Sequence, residues 1–179
     1  MTTVYGNFDL TDFWHNSDYA LNKYVEAPLT DELLEEIQKD LGYTLPAAYV
    51  ELMRHQNGGR PARTCLPTED FIAWAEDHVA VTGIFGIGRE KECSLGGRFG
   101  SRFWVDHWGY PPIGVYFADC PSAGHEMICL DYRACGPSGE PSVVHVYQEH
   151  DYKISPLAPN FETFIRALVS EEEYDEEDE

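Results

Sequence analysis

Leu45-Pro46-Ala47-Ala48-Tyr49-Val50-Glu51-Leu52-Met53, followed shortly by Asn57-Gly58-Gly59, is the stretch from which the rest of the chain can be ordered. Proline is accepted at the first helical position, where its missing N–H would have no partner, so a helix is expected to begin near Pro46. Tyr49, Leu52 and Met53 recur at helical spacing and give that helix a buried face. Asn57, Gly58 and Gly59 then stop it, because they tolerate the positive φ that ends a helix.

Upstream, Leu29-Thr30-Asp31-Glu32 reads as the start of a second helix. Thr30 is the N-cap, and the two acids behind it suit the positive end of a helix. Leu29 and Leu34 occupy the positions of a hydrophobic staple. Leu33, Leu34, Ile37 and Leu41 make one apolar stripe, ended by Gly42. Before it, Asp9 to Val25 reads as one or two short helices carrying Phe13, Trp14, Tyr19 and Tyr24 inward.

Downstream the texture changes. Val79 to Gly86 is a β-branched and aromatic run that reads as a strand. Ser101 is expected to cap a short helix containing Phe103, Trp104 and Trp108, ended by Gly109 and Pro111. Ile113 to Phe117 and Glu126 to Leu130 read as strands joined by the turn residues Asp119 to Gly124, an antiparallel hairpin. After the loop Gly136 to Pro141 comes a strand from Ser142 to Glu149. Asn160 caps a final helix whose Phe161, Phe164, Ile165, Leu168 and Val169 lie on one face. Helices at both ends with strands between them give an α+β fold: a mainly antiparallel sheet with the terminal helices packed on it. Residues 1–170 are read as a single domain and 171–179 as an acidic tail, disordered or a frayed extension of the last helix because its like charges repel.

Thirty-two acids stand against twelve bases, a net charge of −20. The last nine residues hold eight of those acids, which leaves the body at −12. Such a surface repels nucleic acid and anionic membranes, since affinity for phosphate depends on cations displacing counterions. It attracts basic partners and speeds their approach. No apolar run reaches the roughly 18 residues of a membrane-spanning helix. The N-terminus carries no basic segment followed by an apolar core, so a cytoplasmic protein is expected. Cys65, Cys93, Cys120, Cys129 and Cys135 are odd in number and irregularly spaced, which points to reduced thiols used as small apolar residues.

Catalytic motifs are sparse, and no cofactor is expected. Gly83-Ile84-Phe85-Gly86-Ile87-Gly88 has the wrong spacing for a phosphate loop, and no helix start follows it. Gly96-Gly97-Arg98-Phe99-Gly100 lacks the Lys and Ser/Thr of a P-loop. A nucleophile elbow is absent, and Cys120 has no cation near it in sequence. The strongest enzymatic alternative is a small metal-dependent hydrolase built on His125, Asp131 and His145 across neighbouring strands, with His145 half-exposed opposite Val144 and Val146. Zinc chemistry needs about three ligands at one centre, and nothing local forces these three together, so no metal is expected.

Taken together, several segments resemble the SUKH superfamily, which includes a yeast regulator of cell-wall synthesis and many bacterial toxin-immunity proteins. The likeness rests on Leu45-Pro46 to Met53 closing on Asn57-Gly58-Gly59, on Ile84-Phe85-Gly86, on Ile128-Cys129-Leu130-Asp131 after Gly124, and on Phe161 to Leu168. It covers roughly residues 29 to 169. It implies a non-catalytic protein-binding domain, either an immunity protein neutralising a polymorphic toxin such as a nuclease or a regulatory adaptor. The chain departs from the pattern in its aromatic N-terminus, in Arg89 to Pro112 and in its tail.

Interfaces concentrate energy in Trp, Tyr and Arg, with rim charges setting the association rate. Asp106, Trp108 and Tyr110 are therefore the expected contacts for a protein partner, such as a basic toxin domain. Asp119 and Glu140 are expected in loops that reach the same end of the sheet.

Overall fold

The Thr30 hydroxyl accepts the Leu33 N–H at 3.2 Å and opens the helix Asp31–Leu41. The computed structural model describes residues 4–6, 8–69, 72, 73, 75 and 77–175. Gly42 closes that helix in the left-handed region, φ 83°, and its N–H returns to the Gln38 carbonyl. Ile37 is fully buried, while Leu29, Leu33, Leu34 and Leu41 are half-buried against the core. The next helix spans Ala47–His55, with Pro46 one place earlier, at the cap, than expected. Tyr49, Leu52 and Met53 form its buried face. We number the helices α1 (Asp18–Lys23), α2 (Asp31–Leu41), α3 (Ala47–His55), α4 (Ser101–Trp108), α5 (Phe161–Ala167) and α6 (Glu172–Asp175).

The stop after α3 ties several segments together. The Asn57 amide donates to the carbonyls of Ala27 (3.0 Å) and Ile87 (2.9 Å), and its side-chain oxygen accepts the Ile87 N–H. The buried Glu26 carboxylate accepts from the Glu90 and Lys91 N–H groups and from the Ser94 hydroxyl, which braces the loop before α4.

Strands β3 (Gly83–Ile84), β4 (Gly114–Asp119), β5 (Glu126–Asp131), β6 (Ser142–Tyr147) and β7 (Lys153–Ala158) form one antiparallel sheet in that order. A separate pair, β1 (Cys65–Pro67) and β2 (His78–Ala80), lies beside it. The expected strand over Val79 to Gly86 is thus divided between two sheets. The break is at Val81, whose N–H goes to Thr64, and Thr82, whose N–H goes to Asp119. The strand from Ser142 ends at Tyr147, and Gln148–His150 is a turn of 3₁₀ helix.

Successive strand residues point to opposite faces. Phe117 meets Tyr49 of α3 and Phe161 and Phe164 of α5, whereas Tyr116 meets Tyr110 beyond α4. Helices therefore cover both faces, and β5 is buried along its whole length.

Three further expectations are corrected. Of the one or two short helices expected within Asp9 to Val25 one forms, α1, but Tyr19 on it points outward. Ala20 of α1 and Tyr24 just past its end, four residues apart, are the buried side chains, which leaves Tyr19 rotated away from the inner side. Gly100, not Ser101, holds the cap position of α4; the Ser101 hydroxyl instead accepts the Tyr116 N–H at 2.9 Å. Asn160 caps α5 as expected, but Val169 leaves the helix and pairs with Cys65. In the tail, Tyr174 of α6 stacks on His78 at 3.8 Å, and residues 176–179 lie outside the described residues. Among the described residues no helix is long and apolar enough to cross a membrane.

Candidate interaction surface

Helical spacing splits α4 into two working sides. Arg102, Val105 and Asp106 line a 230 Å³ depression with Leu41, Tyr43 and Pro112. Adjoining hollows of 290 and 420 Å³ share Leu41, and the second adds Tyr132 and Arg133. Tyr43 and Tyr132 pack ring to ring at 4.5 Å. The cations along this groove are already engaged: Arg89 by Glu36 and Asp40, Arg102 by the Asp40 carbonyl, Arg133 by Asp131. On the other side of α4, Trp104 and Trp108 lie against Gly124, with no room there for a β-carbon.

The five expected contact residues are not brought into one patch. Asp106 is exposed on the groove side. Trp108 is half-buried, 5.3 Å from Trp104 and 5.6 Å from His125, and its carbonyl accepts the Tyr152 hydroxyl. Tyr110 is buried, donating to the Gly124 carbonyl at 2.5 Å, so its side chain is part of the core and presents nothing to a partner. Asp119 and Glu140 belong to opposite ends of the sheet. Asp119 pairs with Met127 near the start of β5, whereas Glu140 precedes Ser142, which pairs with Asp131 at its end. Glu140 is exposed, and its carboxyl is raised by partial burial and by Glu162.

Asp119 has a different task. It ends β4, and the Tyr24 hydroxyl donates to both its oxygens at 2.9 and 2.8 Å. Burial pushes its carboxyl up to about 6, against the opposing pull of Tyr24. A carboxyl raised on folding holds more protons in the native than in the unfolded state. Its contribution to stability is therefore present at low pH and is lost as pH rises through about 6. Asp119→Asn keeps an acceptor for Tyr24 and removes the buried charge. It should be more stable than the parent at pH 7 by on the order of 2–3 kcal/mol, with the gap closing below about pH 4. Urea titrations at several pH values check this; a gap that does not depend on pH would contradict the burial argument.

The hydrolase alternative loses its geometry. His145 is fully buried rather than half-exposed, because both faces of the sheet are covered, and its Nε2 lies 3.0 Å from a Glu126 oxygen. His125 sits in the turn before β5 with its Nδ1 2.8 Å from the Gln148 side chain. Asp131 is at the far end of β5, beside Arg133, which holds its carboxyl below the usual range even though partial burial pushes the other way. Among the described residues no three His, Cys, Asp or Glu side chains are placed to hold a metal. Cys65, Cys120 and Cys129 are buried free thiols, and burial pushes Cys120 and Cys129 well up. Cys93 is half-buried and packed against the core, whereas Cys135 is exposed and departs from an apolar filling role.

Sequence reading missed Tyr19 and Leu21 of α1, the exposed large hydrophobic residues of the described surface, at 54% and 41%. The signal was present in Leu21, which has no apolar partner at helical spacing within so short a helix.

Residues 28–167 match the model of the SMI1 / KNR4 family (SUKH-1). No curated protein matches the chain.

Proposed function

The chain belongs to the SMI1 / KNR4 family (SUKH-1), and from that premise we propose that it is a non-catalytic protein-binding domain acting in the cytoplasm as an immunity protein for a basic toxin domain. The observation that carries the step from family to partner is charge: −20 overall, with Asp106 exposed at the rim of the groove beside α4. Long-range attraction of that size steers a cationic protein toward this one and turns nucleic acid away. Trp108, half-buried on the other side of α4 from the groove, is an aromatic residue of the kind interfaces favour. A toxin that acts on nucleic acid carries the complementary cations, and covering them is sufficient to neutralise it without catalysis.

The test co-expresses the chain with candidate basic nuclease toxin domains from its own genome. Growth is expected with the chain and arrest without it. In calorimetry the affinity should fall steeply between low and high salt, and Asp106→Lys should slow association several-fold while leaving dissociation nearly unchanged. Arrest in both cultures with no heat of binding, or measurable affinity for an oligonucleotide, would overturn the reading.

A further inference from the structure

The end of α2 and the groove side of α4 bound one continuous trough. Its middle is the 230 Å³ hollow, which shares Leu41 and Arg102 with the 290 Å³ hollow on one side. On the other side it shares Leu41, Tyr43 and Pro112 with the 420 Å³ hollow. The two outer hollows have only Leu41 in common, so the three stand in series. Leu41, Tyr43, Val105 and Ile113 line them as half-buried apolar side chains packed against the core, and Pro112 is exposed.

Folding leaves this trough open while fixing its walls. The Arg102 guanidinium donates to the Asp40 carbonyl and ties α4 to the end of α2. Gly42 returns its N–H to the Gln38 carbonyl, and the Gln38 side-chain oxygen accepts the Leu45 N–H at 2.8 Å. The Thr44 N–H donates to the Pro137 carbonyl at 2.8 Å, and the Thr44 carbonyl accepts the Tyr132 hydroxyl at 2.8 Å. The walls are therefore ordered before anything enters. A contact surface of that kind loses little entropy on binding.

Charge and shape state what meets it. Arg133 is neutralised by Asp131. Arg89 is met by two carboxylates, Glu36 and Asp40, and their surplus is offset by Arg102 on the Asp40 carbonyl. That leaves Asp106, which is exposed and makes no side-chain ion pair or hydrogen bond among the described residues. The negative end of the α2 dipole, at Leu41, adds to its field. A cation complements both. An extended chain turns every second side chain to the same face, so it seats successive side chains in hollows set in series. A helix wants one wide apolar trench instead.

We propose that this trough receives an extended segment of a partner protein, with alternate apolar side chains seated over Leu41, Tyr43 and Val105 and a Lys or Arg on Asp106. This rests on the protein-binding reading above and gives it a location and a ligand class. The probe is a phage-displayed library of random short peptides, selected on the full chain. Enriched peptides should share apolar residues at i and i+2 with a Lys or Arg close by. In calorimetry such a peptide should bind Val105→Lys about ten-fold more weakly than the parent, and Asp106→Asn about three- to five-fold more weakly, at unchanged melting temperatures. Glu173→Gln, exposed on α6, should bind as the parent does. If Val105→Lys fails to fold, Asp106→Asn decides alone, because its side chain holds nothing in place. No enriched peptide, an acidic consensus, or apolar residues at the i, i+3, i+4 spacing of a helix would overturn the proposal. Equal losses in Asp106→Asn and Glu173→Gln would do the same, by tracing the binding to overall charge. Each of these results leaves the immunity reading to the co-expression test, which does not depend on the peptides.

Discussion

Gly58→Ala should lower the unfolding free energy by about 4 kcal/mol or more, whereas Gly42→Ala should cost only about 1 kcal/mol. Both glycines have positive φ, 95° and 83°. The difference lies in what a methyl group would meet. At Gly42 nothing lies within 4 Å, so alanine there incurs little beyond the left-handed backbone. At Gly58 the added carbon would stand 2.5 Å from the Tyr24 carbonyl oxygen and 2.7 Å from the Gly86 nitrogen. Those atoms are backbone and cannot rotate away. They are also held on every side: the Glu26 N–H donates to the Asn57 carbonyl at 2.9 Å, and Gly59 and Ile84 exchange both of their backbone hydrogen bonds. The Asn57 side chain adds three more to Ala27 and Ile87. Relief would require moving the segment before α2, the β3 strand or the stop after α3, and each is locked to the others. Urea unfolding of the two variants checks the contrast; equal losses would mean that the Asn57 hub yields where it is described as rigid.

The parts of this architecture that local chemistry specifies were legible. Thr30, Gly42 and Asn160 announce their helix ends because capping is decided within four residues. The hairpin of β4 and β5 is announced by the turn residues between its strands. What escaped depends on neighbours distant in sequence. Val79 to Gly86 reads as one strand, yet Val81 is drawn to Thr64 and Thr82 to Asp119, which sends its two halves to different sheets. β7 was hidden by Pro156, which argues against a strand in the middle of a sheet but is tolerated in a terminal one. His145 and Tyr110 were misjudged for one common reason. Alternation gives the direction of a side chain but says nothing of exposure once helices cover both faces of the sheet. The same limit applied to the candidate contacts, where the segment Arg98 to Tyr110 was correctly read as aromatic but its division into a core side and an outer side needed the register of α4 on β4. Tyr19 failed in the opposite sense: an aromatic residue in a short polar segment was expected inside, and the brevity of α1 leaves its inner face to Ala20.

Phe164→Ala should cost about 3–5 kcal/mol, the usual penalty for deleting a buried phenylalanine. Phe164 is fully buried, with its ring edge-on to Phe117 at 5.6 Å and near Phe161 at 6.3 Å. Phe117 and Phe161 are in turn 4.8 to 5.9 Å from Tyr49, so four rings from α3, β4 and α5 form one aromatic layer beneath the sheet. Removing one of them leaves a cavity that the other three cannot fill, because Tyr49 is tethered by its hydroxyl to the Phe85 carbonyl. The loss therefore includes the cavity as well as the lost burial, which places it in the upper part of the range for this residue type. Phe164→Leu, which retains most of the volume, should cost much less, and Thr163→Ala, exposed on the same helix, should stay within about 0.5 kcal/mol. Urea denaturation of the three variants tests the order. A Phe164→Ala loss below about 1 kcal/mol would mean that α5 does not pack on the sheet at all, and with it would go the argument that the sheet is covered on both faces.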